Sequence, residues 1–260
     1  LAMAVKAYSE LGDAVMLQQP VYYPFSEVIA DNGRKVVSND LYKGDDNRYH
    51  IDLEDFERKI VDNDVKLFLL CNPHNPVGRV WTRQELRRIG EICIRNRVLV
   101  VADEIHCELV FSGHVYIPFA SISEEFREHS VTCISPSKAF NLAGLQIANI
   151  VAADTDMRMK IDKAINVNEV CDVNPFGVEA LIAAYNRGED WLEELKYYLS
   201  VNYNYLRAYF DEYLSQFPVV VLEGTYLVWV DCREVGLSSR EITDILLEKG
   251  KVRVNPGSLY

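Results

Sequence analysis

No apolar run in the sequence approaches the ~20 residues that a bilayer-spanning helix requires, and its first residues lack the basic-then-apolar layout of a signal peptide. Membrane insertion is therefore not expected. Clusters of lysine and arginine are also missing: 27 basic against 39 acidic residues leave a net charge of −12, with no tract able to follow a phosphate backbone. Nucleic acid is excluded as an expected partner. The six cysteines, at positions 71, 93, 107, 133, 171 and 232, form no C-x-x-C pair, and several lie inside apolar runs such as LFLLC and VTCIS. That pattern suits buried, reduced thiols in a cytoplasmic protein, with neither a disulfide framework nor a metal site. Internal repeats and low-complexity tracts are absent as well.

What is present is a chain of 260 residues, 49% hydrophobic and 25% charged, which is globular in composition and long enough for a sizeable core. Short apolar runs, AVMLQ (14–18), KLFLLC (66–71), VLVVA (98–102), VTCIS (131–135) and NIVAA (149–153), read as strands. Amphipathic segments separate them: VYYPFSEVIADNG ends on glycine, DLEDFERKI has acids in its first turn, and TRQELRRIGEICIRN opens on a threonine N-cap. Strands without polar alternation, alternating with helices, predict an α/β fold with a mostly parallel sheet sandwiched by helices. From about residue 189, WLEELKYYLSVNYNYLRAYFDEYLSQF keeps helical spacing long enough to connect two domains. The runs VVVLEG and TYLVWVDC, the helix SSREITDILLEKG and the strand-like KVRV then suggest part of a smaller α/β domain. The expected organisation is a large domain over 1–188, a connecting helix over 189–216 and a small domain over 217–260. Both ends look cut, as in a piece of a longer chain.

In parallel α/β sheets ligands bind outside the carboxyl ends of the strands, so the residues after each apolar run carry the information. KLFLLC is followed by NPHNPVG (72–78), VLVVA by DEIH (103–106) and VTCIS by PSK (136–138). Each has an ordinary reading: turn formers in the first, a helix N-cap or ion pair for Asp103, a surface amine for Lys138. None of these explains why the three clusters share one sheet edge. A single ligand does: pyridoxal 5′-phosphate needs a lysine to form a Schiff base, an acid for its ring nitrogen and an asparagine near its phenolic oxygen. Ser135 and Ser137 add hydroxyl donors suited to the phosphate.

The motifs CNPHNPVGRVWTRQEL, VVADEIHCELVFSGHVYIPFASIS and SPSKAFNLAGLQ carry a family resemblance that extends over essentially the whole chain. The sequence resembles the fold-type I, aspartate aminotransferase-like pyridoxal-phosphate enzymes, and within them the MalY/PatB group of cystathionine β-lyases. The resemblance implies that Lys138 forms the Schiff base and later moves the Cα proton. It implies also that Asp103 pairs with the pyridine nitrogen, that Asn75 reaches the 3-oxygen and that Tyr22 stacks on the ring. A core or interface role for Tyr22 stays open, since Tyr23 adjoins it. His106 takes the place of a tyrosine that many aminotransferases use at the 3-oxygen, and Asn174 lies in a segment that reaches the site across the dimer interface in this superfamily.

Position 146 departs from the pattern. Many relatives have a phosphate-binding arginine eight residues after the lysine, whereas Gln146 is neutral and cannot make a bidentate guanidinium contact. A glycine-containing phosphate loop is expected before Leu1, and a carboxylate-binding arginine after Tyr260. The function implied is β-elimination on a sulfur-containing amino acid such as cystathionine, by a homodimer acting on a small-molecule substrate. An aminotransferase using the same residues is the alternative. Some members of the group also hold a transcription activator inactive, a third and regulatory role.

Overall fold

The computed structural model describes residues 1–260. Strands β1 (Ala14–Leu17) and β2 (Lys35–Ser38) are followed by a small antiparallel pair, β3 (Tyr42–Lys43) and β4 (Tyr49–His50), and then by β5 (Val65–Cys71), β6 (Leu99–Asp103), β7 (Ser130–Ile134) and β8 (Asn149–Ala152). Six of them form one sheet in the order β2-β1-β5-β6-β7-β8, parallel throughout except for β8, which runs against β7. Each of the five runs expected to be a strand is one. Interleaved with them are α1 (Ala2–Tyr8), α2 (Pro24–Asp31), α3 (Leu53–Asp62), α4 (Arg83–Arg95), α5 (Glu124–Glu128) and α6 (Thr155–Val167).

Local chemistry starts the helices where the sequence marks them. The Asp52 side chain accepts the backbone N–H groups of Glu54 and Asp55, and Thr82 with Glu85 forms a reciprocal capping box. Side chains alternate across the strands and feed two cores. In β5, Phe68 and Leu70 join Phe56, Trp81, Leu86, Ile89 and Phe126 beneath α3, α4 and α5. Leu67, Leu69 and Cys71 point the other way, joining Val5, Phe25, Ile29 and Ile161 beneath α1, α2 and α6. Burial on both faces is why these strands read as continuous apolar runs.

After the sheet come α7 (Pro175–Arg187), α8 (Glu189–Tyr213) and α9 (Ser239–Gly250). With 25 residues, α8 is about 37 Å long at 1.5 Å per residue. The strand expectations beyond it need correction. VVVLEG and TYLVWVDC meet through one isolated bridge, Val219 with Val230, while Gly224 bridges to Val110 outside both runs, and KVRV forms no strand. The reason is partnership: a strand exists only when its backbone groups find a neighbour, and Val252 and Val254 are exposed with none beside them. Val219 and Leu222 instead bury themselves against Phe111 and Tyr203.

Candidate active site

In the sheet register, Cys71 lies beside Asp103 and Asp103 beside Cys133, so β5, β6 and β7 finish at one level. The segments that follow, 72–78, 104–106 and 135–138, therefore leave the sheet together. Asn75, buried, donates its backbone N–H to Cys71 Sγ at 3.4 Å and accepts the Tyr22 N–H at 3.0 Å. His74, fully inside, contacts the Pro20 carbonyl through Nε2 at 2.9 Å. Those contacts tie the 72–78 loop to residues 20–22 and bring Tyr22 to the sheet edge.

Asp103 is flanked by two thiols and keeps partial solvent contact. Removal from water is the main influence on its carboxyl and raises its pKa; the Ile105 N–H, 3.2 Å away, and the Lys138 charge act in the opposite direction. Burial likewise drives the imidazole of His106 down to about 4, helped by the nearby positive charge of Lys138. The Tyr22 phenol is pushed up chiefly by burial, while Lys138 lowers it and Tyr226 and Asp103 add to the rise. Lys138, Asp103, His106, Tyr22 and Tyr226 thus share one electrostatic neighbourhood. Lys138 itself is partly buried and makes no ion pair with any carboxylate of the chain.

Ser135 and Ser137 sit beside Lys138, but their hydroxyls are already engaged. Ser135 is buried and its Oγ donates to the Ile147 carbonyl at 2.6 Å, leaving it to accept from Ser137, whose Oγ lies 2.6 Å away and whose N–H lies 3.1 Å away. Ser135 therefore braces the lysine loop, and Ser137, partly exposed, is the hydroxyl able to turn outward. Gln146 is exposed in a left-handed conformation at φ 51°. Asn174 is also exposed and caps α7 by accepting the Phe176 N–H at 3.0 Å.

The family model for aminotransferase class I and II matches residues 1–260. The chain belongs to that family. It is 44% identical over 260 residues to the cystathionine β-lyase PatB of Bacillus subtilis, covering all of this chain and 67% of the relative. Among solved structures, cystalysin from Treponema denticola, which contains pyridoxal 5′-phosphate, superposes with a TM-score of 0.96 at 30% identity, covering 99% of this chain and 65% of that one. The pyridoxal-phosphate-bound C–S lyase of Staphylococcus hominis gives 0.91 at 31% identity, covering 100% and 67%. The chain spans about two thirds of the length of these relatives.

The residues at the sheet edge of this class I and II family member fit pyridoxal phosphate. Asn75 Oδ1 and His106 Nδ1 are buried with no hydrogen-bond partner in the chain, a costly state that a polar ligand relieves. Asp103 accepts a hydrogen bond from Ile105 through Oδ1, which leaves its other carboxylate oxygen to meet a donor.

Two neighbours escaped the reading of the sequence. Glu104, fully buried, accepts from Asn72 Nδ2 at 3.2 Å, the Phe119 N–H at 2.9 Å and the Tyr116 hydroxyl, which fixes the turn between Asp103 and His106. A second carboxylate directly after Asp103 was its signal. Tyr226 packs edge-on to His106 with ring centroids 5.6 Å apart, and nothing in its local sequence announces that placement. A surface hollow lined by Arg127, His129 and Asp154 opens at the opposite end of β7, away from this cluster.

Proposed function

We propose that the protein is a pyridoxal-phosphate-dependent carbon–sulfur β-lyase of the cystathionine β-lyase type, converting a sulfur-containing amino acid and water to a thiol, pyruvate and ammonia. The observation that carries this reading is the meeting of Lys138, Asp103 and the orphaned polar atoms of Asn75 and His106 at one sheet edge. The preference for lyase over aminotransferase rests on the 44% identity to PatB over the full chain.

Bound here, pyridoxal phosphate supplies an electron sink for the pair left at the substrate's Cα when its proton departs. Lys138 Nζ, which makes no ion pair, would hold the cofactor's aldehyde carbon at rest and take the Cα proton as general base. Asp103 holds the ring-nitrogen proton; its raised pKa suits a carboxyl that shares a proton instead of surrendering it. Asn75 orients the ring through the 3-oxygen, and Tyr22 offers an aromatic face. His106, neutral above about pH 4, stands beside Lys138 without adding a second positive charge. Ser137 would offer its hydroxyl to the phosphate, while Ser135 keeps the loop closed through the Ile147 carbonyl.

The same reading includes the division into a large domain over 1–188, a connecting helix over 189–216 and a small domain over 217–260. It includes a homodimer too, supported by exposed apolar residues on and before α7 and α8, among them Val170, Phe176, Trp191, Tyr197 and Tyr198. A cytoplasmic location is supported by six unpaired cysteines. No helix is long and apolar enough to cross a membrane.

The full-length protein supplied with pyridoxal phosphate is expected to show a yellow absorbance band that Lys138→Ala abolishes. Given cystathionine alone it should release pyruvate and free thiol. Efficient amino transfer to a 2-oxo acid without those products would replace the lyase by the aminotransferase.

A further inference from the structure

Residues 223–226 lie beyond α8 in the chain, yet they are stitched to the loops at the carboxyl edge of the sheet. The N–H groups of Glu223 and Gly224 both donate to the Gly78 carbonyl, at 2.9 and 3.1 Å, and the Thr225 N–H donates to the Leu109 carbonyl at 2.7 Å. The Phe111 N–H returns a bond to the Glu223 carbonyl at 3.0 Å. Gly224 has to be glycine: a Cβ there would meet the Leu109 carbonyl and Val80 Cγ2, each at 2.9 Å.

Side chains reinforce the seam. Glu223 and Arg79 form a buried pair at 3.0 Å, the same carboxylate accepts the Val80 N–H at 2.8 Å, and Arg48 reaches its other oxygen at 3.0 Å. Next in line, Thr225 is fully buried at φ 71°, a left-handed conformation that a β-branched residue adopts only when its surroundings impose it. The side chain that follows is carried on backbone held by this seam. That side chain is Tyr226. It remains 40% exposed, makes no hydrogen bond within the chain, stands edge-on to His106 and lies within electrostatic reach of the Tyr22 phenol.

We propose that Tyr226 is a specificity-determining residue: its ring forms a wall beside the reacting end of the site and selects substrates whose side chain presents an apolar or aromatic surface. The proposal deepens the amino-acid lyase reading and rests on it for the location of the reacting end. Tyr226 stands one ring beyond His106, whose imidazole feels the charge of Lys138, so the Tyr226 ring borders the space beside the reacting lysine. An aromatic wall gains contact area and edge-to-face geometry from an apolar group, and little from a small one.

The test uses the full-length, cofactor-loaded protein and two amino acids whose α-methyl group replaces the proton Lys138 would remove. Binding of α-methylphenylalanine and of 2-aminoisobutyrate is followed by the change in cofactor absorbance. In Tyr226→Ala the Kd for the aromatic ligand should rise roughly tenfold, about 1.4 kcal/mol, while that for 2-aminoisobutyrate changes less than about twofold. Tyr226→Phe should keep wild-type discrimination, because the ring and not the hydroxyl makes the wall. Equal shifts for both ligands, no shift for either, or loss of the cofactor band in Tyr226→Ala would overturn the proposal. Incubation of the wild type with cystathionine distinguishes the underlying reading: failure to release pyruvate and thiol defeats the lyase, while the ratio of the two binding constants still decides Tyr226.

Discussion

His106 shows how one buried side chain couples the site to pH. Its folded pKa of about 4 lies below the ordinary 6.5, so between these values the unfolded chain binds the proton and the folded one does not. Stability from this group is therefore complete above pH 6.5 and is lost as pH falls toward 4, by roughly 3 kcal/mol at 1.36 kcal/mol per unit. His74, also held at about 4 by burial, acts in the same sense, whereas the raised carboxyls of Asp103 and Glu104 oppose it. Urea unfolding of the apoprotein at pH 5 and pH 7 should show a smaller pH dependence in His106→Asn than in wild type. At the reacting centre, Asp103→Asn keeps the shape and removes the charge. Turnover should fall by roughly 10²- to 10⁴-fold, the range for groups that steer protons and stabilise developing charge, with Kd for the cofactor as the accompanying readout. Lys138, Asp103 and Asn75 could be read from the sequence because each breaks an apolar run at a strand's carboxyl end. Tyr226 could not, because its neighbour His106 is distant in sequence and only the folded chain makes them adjacent.

Helices and strands were legible to the extent that their signals are local. Caps such as Thr82 with Glu85 act within one turn, and a short continuous apolar run marks a strand buried on both faces, so α4 and β5 fall where the residues put them. KVRV has the composition of a strand and no neighbour to complete it. Packing between elements is equally non-local. Gly90, in the middle of α4, lies so near α5 that an added Cβ would come within 1.9 Å of Phe126 Cε1. Gly90→Ala, favourable for an isolated helix, should here destabilise by about 1–3 kcal/mol through overpacking, measurable as a lower urea midpoint. The seam at Glu223 gives a second test. Arg79→Met leaves a buried carboxylate without its main partner and should cost about 3–5 kcal/mol, and adding Glu223→Leu should recover part of that loss.

For the whole molecule, the uneven distribution of apolar surface is the leading feature. The two cores under the sheet are closed, while Phe176, Trp191, Tyr197, Tyr198 and Tyr205 remain open on α7 and α8. In the proposed homodimer these residues would supply the apolar contact between copies. The full-length protein is expected to sediment as a dimer, and Phe176→Asp with Tyr198→Glu should move it toward monomer at equal concentration. Sequence alone determined the alternation of strands and helices, the mostly parallel sheet and the polar residues at its carboxyl edge, because these depend on periodicity and on neighbours within a few positions. Tertiary structure alone decided that Ser135 braces a loop, that KVRV is no strand and that Tyr226 joins His106. Each of those outcomes depends on which backbone groups and side chains find partners across long stretches of chain, and no local pattern encodes such partners.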